Sequence, residues 1–363
     1  MMQIIQDRRA LHAIPEIGLD LPKTAAYVRN ALAGLKCQTF APLEHAVCAY
    51  FDFGADSTIA FRADMDALSV PEETGLPFAS THPGQMHACG HDGHTAILLE
   101  LARRLNTKTK LSHNVLLIFQ PGEETPGGAR PICETGVLEK YKVFAIFGLH
   151  LWPGEEEGFV YTRANELMSR GSELSVNIYG KSTHISNAAA GIDATAAAVE
   201  FYNQCRQAEA SLPPEIYRLL NFGMFNSGTV RNALSAHAQL EGSLRTFHDD
   251  VFEGLQKTVR EIAANVEKQF GCTVQVNFSE SYPAVMNDPD LTQRAYQAAP
   301  FRWLEKPSMA SEDFAEYQLR VGGVFFFLST GNTPALHATT FNFNEEILLK
   351  GADFFEQLAE NFQ

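Results

Sequence analysis

The sequence predicts an α/β fold in two parts: a three-layer, mixed-sheet domain and, inserted within it, a ferredoxin-like α+β domain. Three observations carry this expectation. Helix-like and strand-like stretches alternate through the first half, the rhythm changes near Glu173 to β-α-β-β-α-β, and the alternation resumes after Pro283. In the first half, Val47–Phe53 and Thr58–Phe61 have the composition of strands. His113–Gln120 and Val143–Leu151 are apolar enough to be buried on both faces. Helical spacing appears at Lys23–Leu35 and again at Thr95–Leu105, where Ile97, Leu98, Leu101, Ala102 and Leu105 share one face.

The middle section is punctuated differently. Glu173–Tyr179 alternates as a strand and stops at Gly180, and an Ala-rich helix follows from Asp193, a residue suited to capping, to about Ala208. Strand-like Leu219–Val230 and Ala236–Phe247 come next, then a helix Asp249–Phe270 closed by Gly271, then a strand Thr273–Ser279. Beyond Pro283, Glu312–Gln318 is helical, Gly323–Ser329 is a strand, and Asn344–Phe362 is a final helix capped by Asn344. The domains expected are therefore 1–171 with 283–363, and the insert 172–282.

With 363 residues, 45% of them apolar, the chain can bury two modest cores. A net charge of -15 without basic runs argues against nucleic acid and anionic membranes as partners. The apolar runs are too short to span a bilayer, the first residues lack a signal-peptide layout, and the six cysteines are scattered. A reduced, cytoplasmic protein is expected.

Five short segments hold the side chains suited to chemistry. Met86-His-Ala-Cys-Gly-His-Asp-Gly-His94 packs three histidines, Cys89 and Asp92 into one turn before a buried helix. Cys89 and His91, alternate residues of an extended loop, can face one ion. Thiolate, imidazole and carboxylate together suit zinc, with manganese, cobalt or nickel as alternatives, better than magnesium or calcium. Arg62-Ala-Asp-Met-Asp66 follows a strand, where Asp64 can hydrogen-bond a metal-ligating histidine. Phe119-Gln-Pro-Gly-Glu-Glu124 places two carboxylates at a strand end, one to ligate and one to act as general base. His150 closes an apolar strand, and His337 lies in a loop after another. Each segment alone has an ordinary structural explanation. Their coincidence at strand ends, which meet at one rim of an open sheet, carries the argument. Cys89, His91, Glu124, His150 and His337 would serve two ions about 3.5–4 Å apart, leaving Glu123 as base.

These segments, with Arg8-Arg-Ala-Leu-His-Ala-Ile-Pro-Glu16, Gly148-Leu-His150 and Ser311-Glu-Asp-Phe314, resemble the amidohydrolase branch of the aminoacylase/carboxypeptidase metallopeptidases. Hippurate hydrolases, N-acyl-amino-acid amidohydrolases, auxin-conjugate hydrolases and N-acetyldiaminopimelate deacetylases belong to that branch. The resemblance runs nearly end to end. It implies two divalent metal ions and a lid domain through which such proteins often dimerise. It also implies the ligand set above, Glu123 as base and Asp64 as a supporting carboxylate. Gly180-Lys-Ser-Thr-His184 matches a segment whose histidine meets substrate, which makes His184 a candidate for polarising the carbonyl; Asn232 and Arg245 are candidates for the substrate carboxylate. The expected reaction is hydrolysis of an N-acyl amino acid by metal-activated water with Glu123 as base. The alternatives are N-acetyldiaminopimelate deacetylation in lysine biosynthesis and a catalytically inactive, ligand-binding relative. The family commonly has Ala at Gly122, so a looser turn is expected here, and the lid segments around His184 and Asn232 are altered.

Overall fold

A computed structural model describes residues 2–363. The chain divides into two compact units: residues 1–167, 286–307 and 313–363, and residues 168–285 with 308–312. No helix among the described residues is long and apolar enough to cross a membrane.

The first unit is built on an eight-stranded mixed sheet. Its order is Gln38–Phe40, Val47–Phe51, Asn114–Gln120, Thr58–Asp64, Val143–Pro153, Gly322–Gly331, Val160–Thr162 and Arg302–Trp303. The four central strands, from Asn114–Gln120 to Gly322–Gly331, run parallel, so their carboxyl ends share one rim. Every residue of Thr58–Asp64 and Asn114–Gln120 is buried, as expected of strands covered on both faces. Alternate residues of Gly322–Gly331 show the two layers. Val324, Phe326 and Leu328 join a core with the helices Gln3–His12, Pro22–Leu32, His91–Leu105 and Ile347–Asn361. Phe325 instead meets Phe314, at a ring separation of 4.8 Å, beside the short helix Ala315–Gln318.

Several boundaries differ from those read in the sequence. The helix after the histidine cluster starts at His91 rather than Thr95, because Gly90 takes a left-handed conformation (φ 87°) that turns the chain directly into the first helical turn. The last helix starts at Ile347; Asn344 Oδ1 accepts the Glu346 N–H, capping the turn before it. Four α-helices had no counterpart in the sequence reading: Gln3–His12, Ala129–Glu134, Val137–Lys140 and Pro289–Ala298, the last capped by Asp288.

The second unit is a four-stranded antiparallel sheet in the order Thr273–Phe278, Arg170–Tyr179, His237–Thr246, Arg218–Ser227. The helices Ala194–Ser211 and Asp249–Phe270 supply Phe201, Val259 and Val266 to its core against Val176, Ile178 and Leu240. Asp193 caps the first helix, accepting from Thr195 N and Ala196 N, and left-handed Gly271 ends the second. This is the β-α-β-β-α-β arrangement of a ferredoxin-like unit.

Candidate active site

The parallel strands deliver the chemistry to their carboxyl rim. Asp64 ends its strand in register with Gln120, and His150 lies two residues beyond the Gly148–Arg62 pairing, so all three stand at one level. After Gln120 the chain turns through Gly122, whose φ of 73° is left-handed, and presents Glu123 and Glu124. A Cβ on Gly122 would lie 2.6 Å from Leu19 Cδ2. Glycine here therefore sets a tight turn against Leu19, and the loosening expected from the sequence is not what the backbone shows. His337 also has positive φ (67°), uncommon for a residue with a side chain, and its N–H donates to Ala88 O at 2.9 Å. That bond fastens the His337 loop beside Cys89.

The donor atoms gather in overlapping groups. Cys89, His91 and His150 form one, Cys89, Glu124 and His337 a second, and His91, Glu123 and Glu124 a third, each with its ligand atoms within 4.8 Å of one another. Cys89 Sγ is 3.4 Å from His150 Nε2, and His337 Nε2 is 3.2 Å from Glu124 Oε1. The sequence-predicted ligands thus converge, with Cys89 common to two groups.

The residues fit a metal. Both ring nitrogens of His91 are buried without a hydrogen-bond partner among the described residues. An unsatisfied buried polar atom costs about 1–3 kcal/mol, a cost that an ion in coordination would remove. The set of one thiol, three imidazoles and a carboxylate is that of a borderline transition ion. The tautomers agree. His150 Nδ1 donates to Leu151 O at 2.7 Å, which leaves the Nε2 lone pair facing Cys89. His94, by contrast, has no lone pair left over. Its Nε2 accepts the Leu151 N–H at 2.8 Å and its Nδ1 donates to Asp64 at 2.6 Å.

Asp64 therefore plays a different part from the one expected. Its short hydrogen bond goes to His94, and it comes only within 3.8 Å of His91 Nδ1. Asp66, which the sequence reading left without a role, lies nearer that nitrogen at 3.4 Å, and its carboxylate accepts the N–H groups of Glu123 (2.9 Å) and Glu124 (3.1 Å). One buried carboxylate thus fixes the candidate base, one candidate ligand and the neighbourhood of another. The signal was present, since residues two apart in an extended segment point the same way. Behind them Arg62 joins Gln120, Asp64 and Asp313 by hydrogen bonds of 2.6–2.9 Å.

The electrostatics follow from burial among acids. Burial pushes the Cys89 thiol well up, and Glu124 and Glu123 push it further. Burial opposes charge on His91, but Asp64, Asp66 and Glu124 outweigh it and raise its pKa to about 10. His150 is held well below the usual imidazole range by burial and by His94. Glu123 is 7% exposed, and its Oε1 faces the Asp313 N–H at 3.4 Å.

In the second unit, His184 and Asn232 are neighbours. His184 bridges Ala233, and Ile185 N donates to Asn232 O at 3.0 Å. Both side chains are exposed, and His184 Nδ1 lies 2.7 Å from Ser186 Oγ. Arg245 is not part of that pair. It sits at the far end of the strand His237–Thr246, roughly 25 Å away at the usual rise per residue, and donates to Met309 O at 2.9 Å.

Fold and site together define a two-unit α/β protein with a largely buried, metal-type donor cluster at its sheet rim. Residues 60–361 match the model of peptidase family M20/M25/M40, and the chain belongs to that family. It is 34% identical over 371 residues to an uncharacterized hydrolase of Staphylococcus epidermidis, covering 98% of this chain and 97% of that one. A structure from methicillin-resistant Staphylococcus aureus, described as an aminohydrolase, superposes with a TM-score of 0.90 at 30% identity, covering 98% and 95% of the two chains. The Bacillus subtilis YXEP protein, a dinuclear metal binding peptidase of the M20 family, gives 0.84 at 31% identity over 98% and 96%. The chain is thus a metal-dependent hydrolase of amide bonds.

Proposed function

We propose that this protein hydrolyses the amide bond of N-acyl amino acids at a centre of two divalent ions, zinc first among them. Cys89, His91, Glu124, His150 and His337 would hold the ions. The observation that carries the reading is the buried Glu123 carboxylate set within 4.8 Å of His91 and Glu124, where neither His91 nitrogen has a hydrogen bond among the described residues. The dinuclear character printed for the Bacillus subtilis relative supports the count of two. Bound there, the ions would act as Lewis acids and make water a nucleophile near neutral pH.

The protein's own groups would do the rest. Glu123 takes the proton from water as its oxygen attacks the amide carbon, and returns it to the nitrogen as the C–N bond breaks, giving a carboxylate and a free amine. Asp66 holds Glu123 in place through its backbone N–H. His184 is the candidate for steadying the developing oxyanion, and Asn232 and Arg245 for meeting the substrate carboxylate. His184, paired with Ala233, and Arg245, at the far end of the strand His237–Thr246, are too far apart for one small substrate to meet both within one copy, so the proposal that both meet it goes with a homodimer through the lid. The free cysteines suit a reducing cytoplasm. Glu123→Gln tests the reading. It should bind metal as the wild type does and lose turnover of N-acyl amino acids by a factor of about 10²–10⁴, the usual worth of a general base. Retained turnover would remove Glu123 from the role.

A further inference from the structure

The first helix, Gln3–His12, supplies none of the candidate ligands, yet two of its side chains end on the residue next to His91. Arg8 and His12, four apart and so on one helical face, both reach Asp92: Arg8 Nε at 2.9 Å and His12 Nδ1 at 2.7 Å. The other ring nitrogen of His12, Nε2, lies 3.2 Å from Glu72 Oε1. His12 is fully buried and Asp92 is 1% exposed. An imidazole with a carboxylate at each nitrogen donates to both when it is protonated, so His12 joins two acids. Burial opposes that charge, but Asp92 and Glu72 outweigh it.

The far acid leads back to the site. The residue after Glu72 grips the loop that carries His337: Glu73 N–H donates to Thr339 O at 2.8 Å, and its carboxylate accepts the Thr339 hydroxyl at 2.6 Å. Neither acid depends on His12 alone. Asp92 also has Arg8, and Glu72 also accepts from the Thr74 hydroxyl and the Ser80 N–H. What His12 alone adds among these contacts is the connection between them.

We propose that His12 is a positioning residue for the metal centre, clamping Asp92 to Glu72 so that His91 and the His337 loop are held at the spacing the ions need. The inference rests on the dinuclear reading above and deepens it. The test is a cobalt(II) titration of the metal-stripped full-length chain, read by visible and near-ultraviolet absorption, where a thiolate–cobalt band reports Cys89. Wild type should take up two equivalents, and His337→Ala identifies the equivalent that depends on that loop. His12→Asn keeps a donor toward Asp92 but not toward Glu72. It should weaken that same equivalent at least tenfold while the thiolate band persists. Thr339→Val loosens the connection from its other end, at a half-exposed position, by removing the hydroxyl bond while the backbone bond stays, and should weaken the same equivalent about threefold. If His12→Asn does not fold, Thr339→Val decides alone. Two equivalents bound with wild-type affinity in a folded His12→Asn or in Thr339→Val would overturn the clamp. Wild type that takes up no cobalt would instead overturn the metal reading, and the clamp with it.

Discussion

Asp66 offers a sharp perturbation because one carboxylate does several jobs. Its two oxygens accept from Glu123 N at 2.9 Å and Glu124 N at 3.1 Å, and it stands 3.4 Å from His91. A hydrogen bond to a charged acceptor contributes about 1.5–3 kcal/mol, so the pair is worth about 3–6 kcal/mol to the conformation of the Gly122–Glu124 turn. Asp66→Asn keeps the shape and one acceptor oxygen but points an NH₂ group at the other backbone donor. That leaves one buried N–H unpaired, at a cost of about 1–3 kcal/mol. The stability loss should appear in urea unfolding of the metal-free protein. Turnover should fall as well, because the freed N–H belongs either to the proposed base or to a proposed ligand. If catalysis loses a comparable 1–3 kcal/mol, kcat drops roughly 5- to 150-fold at saturating metal. An Asp66→Asn protein with unchanged urea midpoint and kcat within twofold of wild type would refute the reasoning.

Two other consequences are as direct. Gly122→Ala must put a side chain in a left-handed conformation, which costs about 1–2 kcal/mol, and must also displace Leu19 from a 2.6 Å approach. The variant should melt lower and turn over more slowly, and a thermal shift with no decrease would contradict the turn described here. Metal uptake should release protons. Without metal at pH 7–8, His91, with its pKa raised to about 10, and the Cys89 thiol, raised by burial, both hold protons that a metal must displace. Apparent affinity should therefore strengthen as pH rises toward 10. Calorimetry in buffers of different ionisation enthalpy should show about two protons released; none released would show that both groups have already lost those protons before metal binds.

Much of the fold was legible because local signals and burial agreed. The insert stands out in sequence since its helices carry their own punctuation, Asp193 before one and Gly271 after the other, and both do the capping that their chemistry suggests. The strand ends near the candidate ligands were legible because the central strands are buried with mostly apolar middles, so the polar residues that close them mark the rim. The first helix was hidden for the opposite reason. Its buried face includes Asp7, Arg8 and His12 beside Ile4, Ile5 and Leu11, and a half-ionic stripe has no apolar period to detect. The helix Pro289–Ala298 did carry a signal, Asp288 followed by Pro289, which was passed over.

In the site, residue types were legible and partners were not. That Cys89, His91, Glu124, His150 and His337 should meet follows from topology, because parallel strands bring their ends together. Which carboxylate serves which histidine does not follow. Asp64 and Asp66 are equivalent in sequence, and the position of the helix starting at His91 gives Asp64 to His94 and places Asp66 beside His91. The Arg62–Asp313 pair joins residues 251 apart, a separation no local pattern encodes.

The central claim is that a metal centre held by this donor cluster cleaves N-acyl amino acids, and amine release from a panel of such compounds tests it most directly. The panel would be assayed before chelation, after it, and after returning zinc, manganese, cobalt or nickel. Release that stops with the chelator and returns with metal, at about two ions per chain, is the predicted result. Release that persists in fully metal-stripped protein, or none from any member of the panel with both ions bound, would contradict it.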